Sequence, residues 1–344
     1  MIKALLASAV GVGVATAAST VIAYKRIFVR CNRPDYALTP GEYCYSRVKD
    51  RLSREKFFYN VKENKLCGYY YPAQNPWGLA VFCHGMRSGA DDYIPLIEQM
   101  VLRGLCVFAY DCTGTYESSG KSTVGMCQQV IDLRSTLEYV RSQTRLSGTP
   151  IFLIGHSWGA YASASVLSLV DFVDGCVAIA GMNSGTDILV AKAGEIVGPL
   201  ALISRPVFMA CQELSFGDYA RLTATDGINS SGVPTLIAHG TNDRVVRFNG
   251  QSIIAKRDKI TNTSARYYVG KGLNGGHSDI MYAKEAVAYR MEIQSEIALR
   301  EMKKGRRLSK GERAELYSEI DHALYSRSNG ELMDMMVSTL RHGR

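Results

Sequence analysis

Short apolar runs alternate with longer segments of mixed polarity over most of the chain. Apolar runs bounded by turn residues are typical of buried strands, and the segments between them are long enough for helices. The pattern predicts eight strands, at residues 56–61, 66–71, 78–83, 105–110, 150–154, 175–180, 235–239 and 265–269. Hairpin strands followed by repeated strand and helix units predict an α/β fold, a mostly parallel eight-stranded sheet with helices on both faces.

The first thirty residues have a different pattern. Residues 4 to 24 carry no charge, and this run is long enough to cross a bilayer as a helix. Lys3 precedes the run and four basic residues follow it, so the positive-inside rule predicts a single-pass membrane protein with its main domain in the cytoplasm. A signal peptide cleaved near residues 15–17 is the alternative. We therefore expect residues 1–30 to form an N-terminal transmembrane helix that anchors the protein in a membrane.

The remaining chain is predicted to form a main domain at residues 31–300 and a C-terminal helical extension at residues 301–344. The connection between the strands that end at 180 and begin at 235 exceeds the usual length, and its middle is apolar. We expect a small cap insert at about residues 181–232, with a helix packed on the sheet as the alternative. In the extension, Ser309 and Glu312 have capping-box spacing, and Leu316, Ile320 and Leu324 recur every fourth residue, which predicts an amphipathic helix.

Composition narrows the classes of partner. With 344 residues, 47% hydrophobic and 21% charged, the chain can bury a large core. The formal charge of +8 is concentrated near the two ends, without a basic groove interleaved with aromatic residues, so no nucleic acid is expected. The nine cysteines contain no C-x-x-C pair, so we expect buried free thiols and a reducing compartment, and neither a metal nor a cofactor. Nothing in the sequence predicts the oligomeric state.

The stretch GHSWG places one serine between two glycines at the end of a predicted strand. Gly155 and Gly159 flank Ser157 at a strand-to-helix turn, which is typical of a nucleophile elbow. A serine hydroxyl needs a base and an acid. His277, in a glycine-rich loop after the last strand, is the preferred base, and Asp243, shortly after the strand that ends at 239, is the preferred acid. The other candidate bases are His84, His156, His239, His322 and His342, and the other candidate acids are Asp226 and Asp279.

Acyl transfer also needs hydrogen-bond donors for the developing oxyanion. The stretch VFCHGMRSG ends a predicted strand, so the backbone N–H of Met86 is one candidate donor. The backbone N–H of Trp158, the residue after the serine, is the other. We therefore predict an oxyanion hole formed by Met86 and Trp158 beside Ser157.

Four stretches, HGMRSG, GHSWG, HGTNDRVV and GGHSD, together resemble the α/β-hydrolase superfamily, in particular its serine aminopeptidase-like and monoacylglycerol lipase-like branch. The resemblance implies a serine hydrolase that cleaves a carboxylic ester or related acyl bond in a small acyl ester or peptide-like substrate. A serine aminopeptidase-like peptidase, in which Glu213 holds a substrate amine, and a non-catalytic scaffold used for binding are the alternatives. The branch often has D-x-R-G-x-G-x-S-x-G after the fourth strand, and here DCTGTYESSG has Thr113 and Tyr116 in place of Arg and Gly.

Overall fold

The computed structural model describes residues 17–39, 44–146 and 148–341. An eight-stranded sheet forms its centre, in the order β1-β2-β4-β3-β5-β6-β7-β8. The strands are β1 (Glu55–Val61), β2 (Asn64–Tyr71), β3 (Gly78–Cys83), β4 (Leu105–Asp111), β5 (Ile151–His156), β6 (Gly175–Ile179), β7 (Thr235–Gly240) and β8 (Ala265–Gly270). β2 is antiparallel to β1 and β4, and the other pairs are parallel. The prediction of a mostly parallel eight-stranded sheet is confirmed, and each strand's ends lie within about two residues of those predicted.

Helices cover both faces of the sheet. They are α1 (residues 17–27), α2 (Ile94–Leu102), α3 (Gln128–Arg141), α4 (Trp158–Ser165), α5 (Gly185–Val197), α6 (Arg205–Phe216), α7 (Ala224–Ser231), α8 (Lys284–Lys304), α9 (Lys310–Ser318), α10 (His322–Tyr325) and α11 (Gly330–Arg341). Successive side chains of β3 belong to two different hydrophobic clusters, one on each face of the sheet. Val81 packs with α3 and α4, whereas Phe82 packs with α2 and α11. The continuous apolar runs of the central strands follow from this burial on both faces.

The predicted N-terminal transmembrane helix is wrong. Among the described residues no helix is long and apolar enough to cross a membrane. Positions 4–16 of the predicted span lie outside the described residues, and its remainder belongs to α1. Thr20, Tyr24 and Phe28 are buried, at the spacing of one helix face, and the Tyr24 hydroxyl donates a hydrogen bond to Gln212 of α6 at 3.1 Å. This face of α1 packs against protein. The predictions of a single-pass membrane localisation and of a membrane partner are therefore corrected together with that of the transmembrane helix.

The C-terminal segment contributes to the core beneath the sheet. The capping box at the start of α9 is present, with Glu312 N–H bonded to Ser309 Oγ and Ser309 N–H bonded to Glu312. Leu316 and Ile320 are buried, although α9 ends at Ser318 and the separate helix α10 follows. The last helix, α11, packs beneath β6, β7 and β8 with four buried apolar side chains, Leu332, Met333, Met336 and Leu340. All nine cysteines are free thiols.

Three helices, α5 to α7, connect β6 to β7 through residues 185–231. Phe208 and Phe216 of α6 are buried in the core cluster that also contains side chains of α3 and α4. Other apolar side chains of this connection face solvent, among them Ile196, Leu202 and Leu214. The connection is therefore anchored on the domain by α6 and carries exposed apolar side chains around that anchor.

Candidate active site

Ser157 occupies the sharp turn between β5 and α4. Its φ of 56° lies in the left-handed region that disfavours non-glycine residues, so the backbone is strained at this position. The two flanking glycines permit the turn. A Cβ on Gly159 would lie 2.0 Å from the carbonyl oxygen of Cys83, and one on Gly155 would lie 2.3 Å from the carbonyl oxygen of Gly159. Both positions therefore require glycine, as a nucleophile elbow does.

The structure brings Ser157, His277 and Asp243 together. His277 Nε2 lies 2.9 Å from Ser157 Oγ, and His277 Nδ1 lies 2.7 Å from Asp243 Oδ2. Because an ionised carboxylate only accepts hydrogen bonds, Nδ1 carries the proton and Nε2 is free to accept the serine hydroxyl. His277 follows β8 and Asp243 follows β7, so the carboxyl edge of the parallel strands assembles the three side chains.

Asp243 is held as an anion by several donors. Its Oδ1 accepts the backbone N–H groups of Val245 at 2.8 Å and Val246 at 2.9 Å. Its Oδ2 lies 3.0 Å from His239 Nε2 as well as 2.7 Å from His277. Burial raises the pKa of Asp243, but the hydrogen bonds from His239 and His277 and the charge of His277 together hold that pKa well below its usual range. An ionised Asp243 keeps His277 in the orientation and tautomer that suit a base.

The two predicted oxyanion donors belong to segments near the serine: a Cβ on Gly85, the residue before Met86, would lie 3.5 Å from Ser157 Cβ, and Trp158 directly follows Ser157. Met86 follows the end of β3, and Trp158 is the first residue of α4. Among the turn and loop hydrogen bonds of the described residues, neither backbone N–H donates one, so both remain available to a ligand. The indole Nε1 of Trp158 donates to the carbonyl of Met126 at 2.7 Å, which fixes the first turn of α4.

Tyr93 and His156 form a hydrogen-bonded support that the sequence analysis missed. The Tyr93 hydroxyl accepts the N–H of Gly85 at 2.9 Å and lies 2.8 Å from His156 Nδ1, and His156 Nε2 lies 3.2 Å from the carbonyl of His277. A carbonyl only accepts, so Nε2 carries the proton and Nδ1 accepts the Tyr93 hydroxyl. Burial lowers the pKa of His156 to about 3, which keeps the ring neutral. The pair therefore ties the loop before Met86 to the loop of His277.

Only adjacency to Ser157 marked His156 in the sequence, and nothing marked Tyr93. His239 was a candidate base, but its Nε2 points at Asp243 and at the carbonyl of Val246, 2.8 Å away. His84 is bonded to Gly85 O and Cys112 N, and burial lowers its pKa to about 4. Of the other candidates, Asp226 bonds to Thr223 at the start of α7, and His342 lies outside the described residues.

The loop after β4 departs from the family pattern and is held by other contacts. Asp111 accepts the N–H of Ala90 at 2.9 Å and the hydroxyl of Tyr69 at 3.0 Å. Thr113, at the position of the missing arginine, donates its N–H and hydroxyl to Asp132 at 2.6 and 3.0 Å. A guanidinium arrives from outside the loop: Arg30 donates to the carbonyls of Tyr116, Ser118 and Gly120.

No group of three or more histidine, cysteine or acidic side chains that could hold a metal ion occurs in the part of the chain that the structure describes. The described candidate site thus consists of one serine, one histidine, one carboxylate and two backbone N–H groups. This donor set is suited to acyl transfer.

Comparison with known proteins identifies similar families. The family model described as serine aminopeptidase, S33, matches residues 74–206. Human monoglyceride lipase is 34% identical over 94 residues, which are 27% of this chain and 31% of the lipase. A monoglyceride lipase homologue of monkeypox virus is 29% identical over 114 residues, 30% of this chain and 37% of the homologue. The chain thus spans about a third of the length of these curated relatives.

Solved structures agree on the fold. An esterase of Pyrococcus furiosus superposes with a TM-score of 0.54 at 19% sequence identity, covering 80% of this chain and 98% of the esterase. At that identity the superposition shows the fold alone. The resemblance that the four motifs predicted, to the serine aminopeptidase-like and monoacylglycerol lipase-like branch, is confirmed by the family model and the curated relatives.

Proposed function

We propose that this chain, which has the α/β-hydrolase fold and resembles the serine aminopeptidase-like and monoacylglycerol lipase-like branch, is a serine hydrolase that cleaves carboxylic esters through an acyl-Ser157 intermediate. One observation carries the proposal. The hydrogen-bonded line from Ser157 Oγ through His277 to Asp243, at 2.9 and 2.7 Å, provides a nucleophile, a base and an orienting anion in sequence.

Ester cleavage at this site proceeds in two halves. Ser157 Oγ attacks the carbonyl carbon while His277 Nε2 takes the hydroxyl proton, and the N–H groups of Met86 and Trp158 bind the resulting oxyanion. The bond to the alcohol oxygen then breaks, and His277 gives the proton to that oxygen. Water attacks the acyl carbon next, losing a proton to His277, and Ser157 recovers the proton as the carboxylic acid leaves.

The helices α5 to α7, within the predicted insert at about residues 181–232, are proposed to form a cap over the candidate active site. They leave the sheet at the carboxyl end of β6, the same edge at which Ser157 leaves β5. A Cβ on Gly185, at the start of α5, would touch Met126, whose carbonyl binds the Trp158 indole. This proximity to the elbow supports a cap that contacts the acyl group of a substrate.

An ester is favoured over a peptide with a free amine. The peptidase alternative needs Glu213 to bind the substrate amine, but Glu213 already pairs with Arg221 at 3.0 Å on the outer side of α6. The alternative of a non-catalytic scaffold does not need Ser157 in a strained conformation with its hydroxyl directed at a histidine.

Fluorophosphonate labelling combined with a panel of p-nitrophenyl esters tests the proposal. Wild-type protein is expected to be labelled and to hydrolyse the esters, whereas Ser157→Ala should lose labelling and lose turnover by about four orders of magnitude or more. Ser168→Ala is the matched control, because Ser168 is an exposed serine soon after the same helix. It should keep both properties. Hydrolysis at an unchanged rate by Ser157→Ala would refute the proposal.

A further inference from the structure

A pocket of about 310 Å³ lies beside the candidate catalytic residues. Its wall includes Arg87 and Ser88, which directly follow Met86, and Ser278, which directly follows His277. Tyr93 also lines it, and the Tyr93 hydroxyl binds the N–H of Gly85. The pocket therefore lies between the loop that carries the proposed oxyanion donor and the loop that carries the proposed base.

Arg290 contributes a rigidly held cation to this pocket. Its guanidinium lies 3.6 Å from the ring centroid of Tyr282 and 4.1 Å from that of Tyr325, and its Nε donates to the carbonyl of Tyr325 at 2.7 Å. No carboxylate of the described residues lies within ion-pair distance of the Arg290 guanidinium. The charge of Arg290 lowers the pKa of Asp279, whereas burial raises that pKa. Two rings and one carbonyl fix the side chain, so binding an anion costs little further ordering.

Arg87 is the second cation of the pocket. It is exposed, and no ion pair of the described residues includes it. Its φ of 60° is strained for a residue with a side chain, and such strain occurs preferentially at functional sites. The one carboxylate in the lining, Asp92, already accepts hydrogen bonds from Tyr36, Tyr116 and the N–H of Gly89, at 2.9, 2.5 and 2.9 Å.

We propose that Arg87 and Arg290 bind an anionic group, a phosphate or a carboxylate, that is part of the ester substrate. This inference rests on the proposed function, since the anion is attached to the ester that Ser157 attacks. Guanidinium groups match the planar or tetrahedral oxygens of such anions and bind them with two hydrogen bonds each. The small volume and the charged lining suit a polar head rather than a long acyl chain.

Two pairs of matched substrates test this inference and distinguish the position of the anion. One pair is 1-lauroylglycerol 3-phosphate against 1-lauroylglycerol, with the anion on the alcohol, and the other is mono-4-nitrophenyl glutarate against 4-nitrophenyl valerate, with the anion on the acyl group. In at least one pair the anionic member should have a kcat/KM about tenfold higher than the neutral member at low salt. The preference should decrease as the salt concentration rises.

Substitutions connect the preference to the two arginines. Arg87→Gln and Arg290→Gln should each lower the ratio of anionic to neutral kcat/KM about tenfold. Arg266→Gln is the matched control, an exposed arginine on β8 that does not line the pocket, and it should leave the ratio unchanged. If Arg290→Gln loses cooperative melting, Arg87→Gln decides, because the Arg87 side chain is exposed and exposed substitutions usually change stability little. Equal ratios in wild type and both variants would overturn the inference.

The failure of this inference is distinguishable from that of the proposed function. Hydrolysis of the neutral esters, lost in Ser157→Ala and without any anion preference, overturns the anion pocket and leaves the serine hydrolase intact. If no ester is cleaved, calorimetric titration with sn-glycerol 3-phosphate and with glutarate tests the pocket alone. Saturable binding that Arg87→Gln weakens supports the pocket, and the absence of binding at millimolar concentration overturns it.

Discussion

Replacing Tyr93 with phenylalanine removes one oxygen from the support beneath the proposed oxyanion loop. The ring keeps its contacts with Phe82 and His156, at centroid distances of 4.8 and 5.7 Å, so no cavity larger than the hydroxyl is created. The N–H of Gly85 loses an acceptor at 2.9 Å, and His156 Nδ1 loses a donor at 2.8 Å. Tyr93→Phe therefore leaves two buried polar groups without their partner.

The magnitude follows from those two groups. Each buried polar group left without a partner costs about 1–3 kcal/mol, so Tyr93→Phe should lower the free energy of unfolding by about 2–6 kcal/mol. A domain near the middle of the ordinary range of about 5–15 kcal/mol remains folded after such a loss. In the folded variant the loop of Met86 and the loop of His277 lose their common tie through His156. We expect kcat to fall about 10- to 100-fold, part of the value of one oxyanion donor, with a smaller change in KM.

Ester hydrolysis and urea unfolding of Tyr93→Phe and Tyr59→Phe separate positioning from stability. Tyr59 is also buried, and its hydroxyl bonds to Thr136 Oγ1 at 2.7 Å, far from the site. Tyr59→Phe should lose stability and keep kcat. The positioning role of Tyr93 is refuted if both variants lose similar stability and Tyr93→Phe retains the kcat of wild type.

Substitutions at two further positions test the geometry of the elbow and of the acid. Gly159→Ala forces a methyl group to 2.0 Å from the carbonyl oxygen of Cys83, so it should abolish fluorophosphonate labelling or prevent folding, and a labelled, stable variant would contradict the elbow geometry. His239→Phe removes a hydrogen-bond donor from Asp243, so it should lower kcat about tenfold and move the acidic limb of the pH–rate profile. His239→Gln should restore both kcat and the pH–rate profile, because its amide can reach the position of Nε2. Equal pH profiles for the two His239 variants would argue against its action through Asp243.

The sheet and the candidate triad could be predicted from sequence because their signals are local. The apolar runs of the central strands reflect burial on both faces, and GHSWG spans a turn whose two glycines contact backbone atoms directly. The order of serine, aspartate and histidine then follows the order of the strands whose carboxyl ends meet at one edge. For these elements a few adjacent residues carry the whole signal.

The supporting contacts could not be predicted because they join distant parts of the chain. Tyr93 and His156 are 63 positions apart, and no spacing relates a tyrosine after β3 to the residue before the elbow. The helix α11 is a different case. Its buried residues Leu332, Met333, Met336 and Leu340 recur at helical spacing, so periodicity alone could have placed it against the sheet.

The segment after α1 explains both the sequence differences in the loop after β4 and the wrong prediction of an N-terminal transmembrane helix. The loop lacks the arginine and glycine of the family pattern, and the segment after α1 binds it instead. Arg30 donates to three of its carbonyls, Cys31 N–H donates to Gly114 O at 2.9 Å, and Tyr116 N–H donates back to Cys31 O at 2.9 Å. These contacts fix the chain only three residues after α1 ends, so the last turn of α1 must lie on the domain, where Tyr24 and Phe28 are buried. The uncharged run that was predicted to span a membrane therefore ends as an amphipathic helix whose buried face packs on the domain. The segment that follows this helix binds the loop after β4.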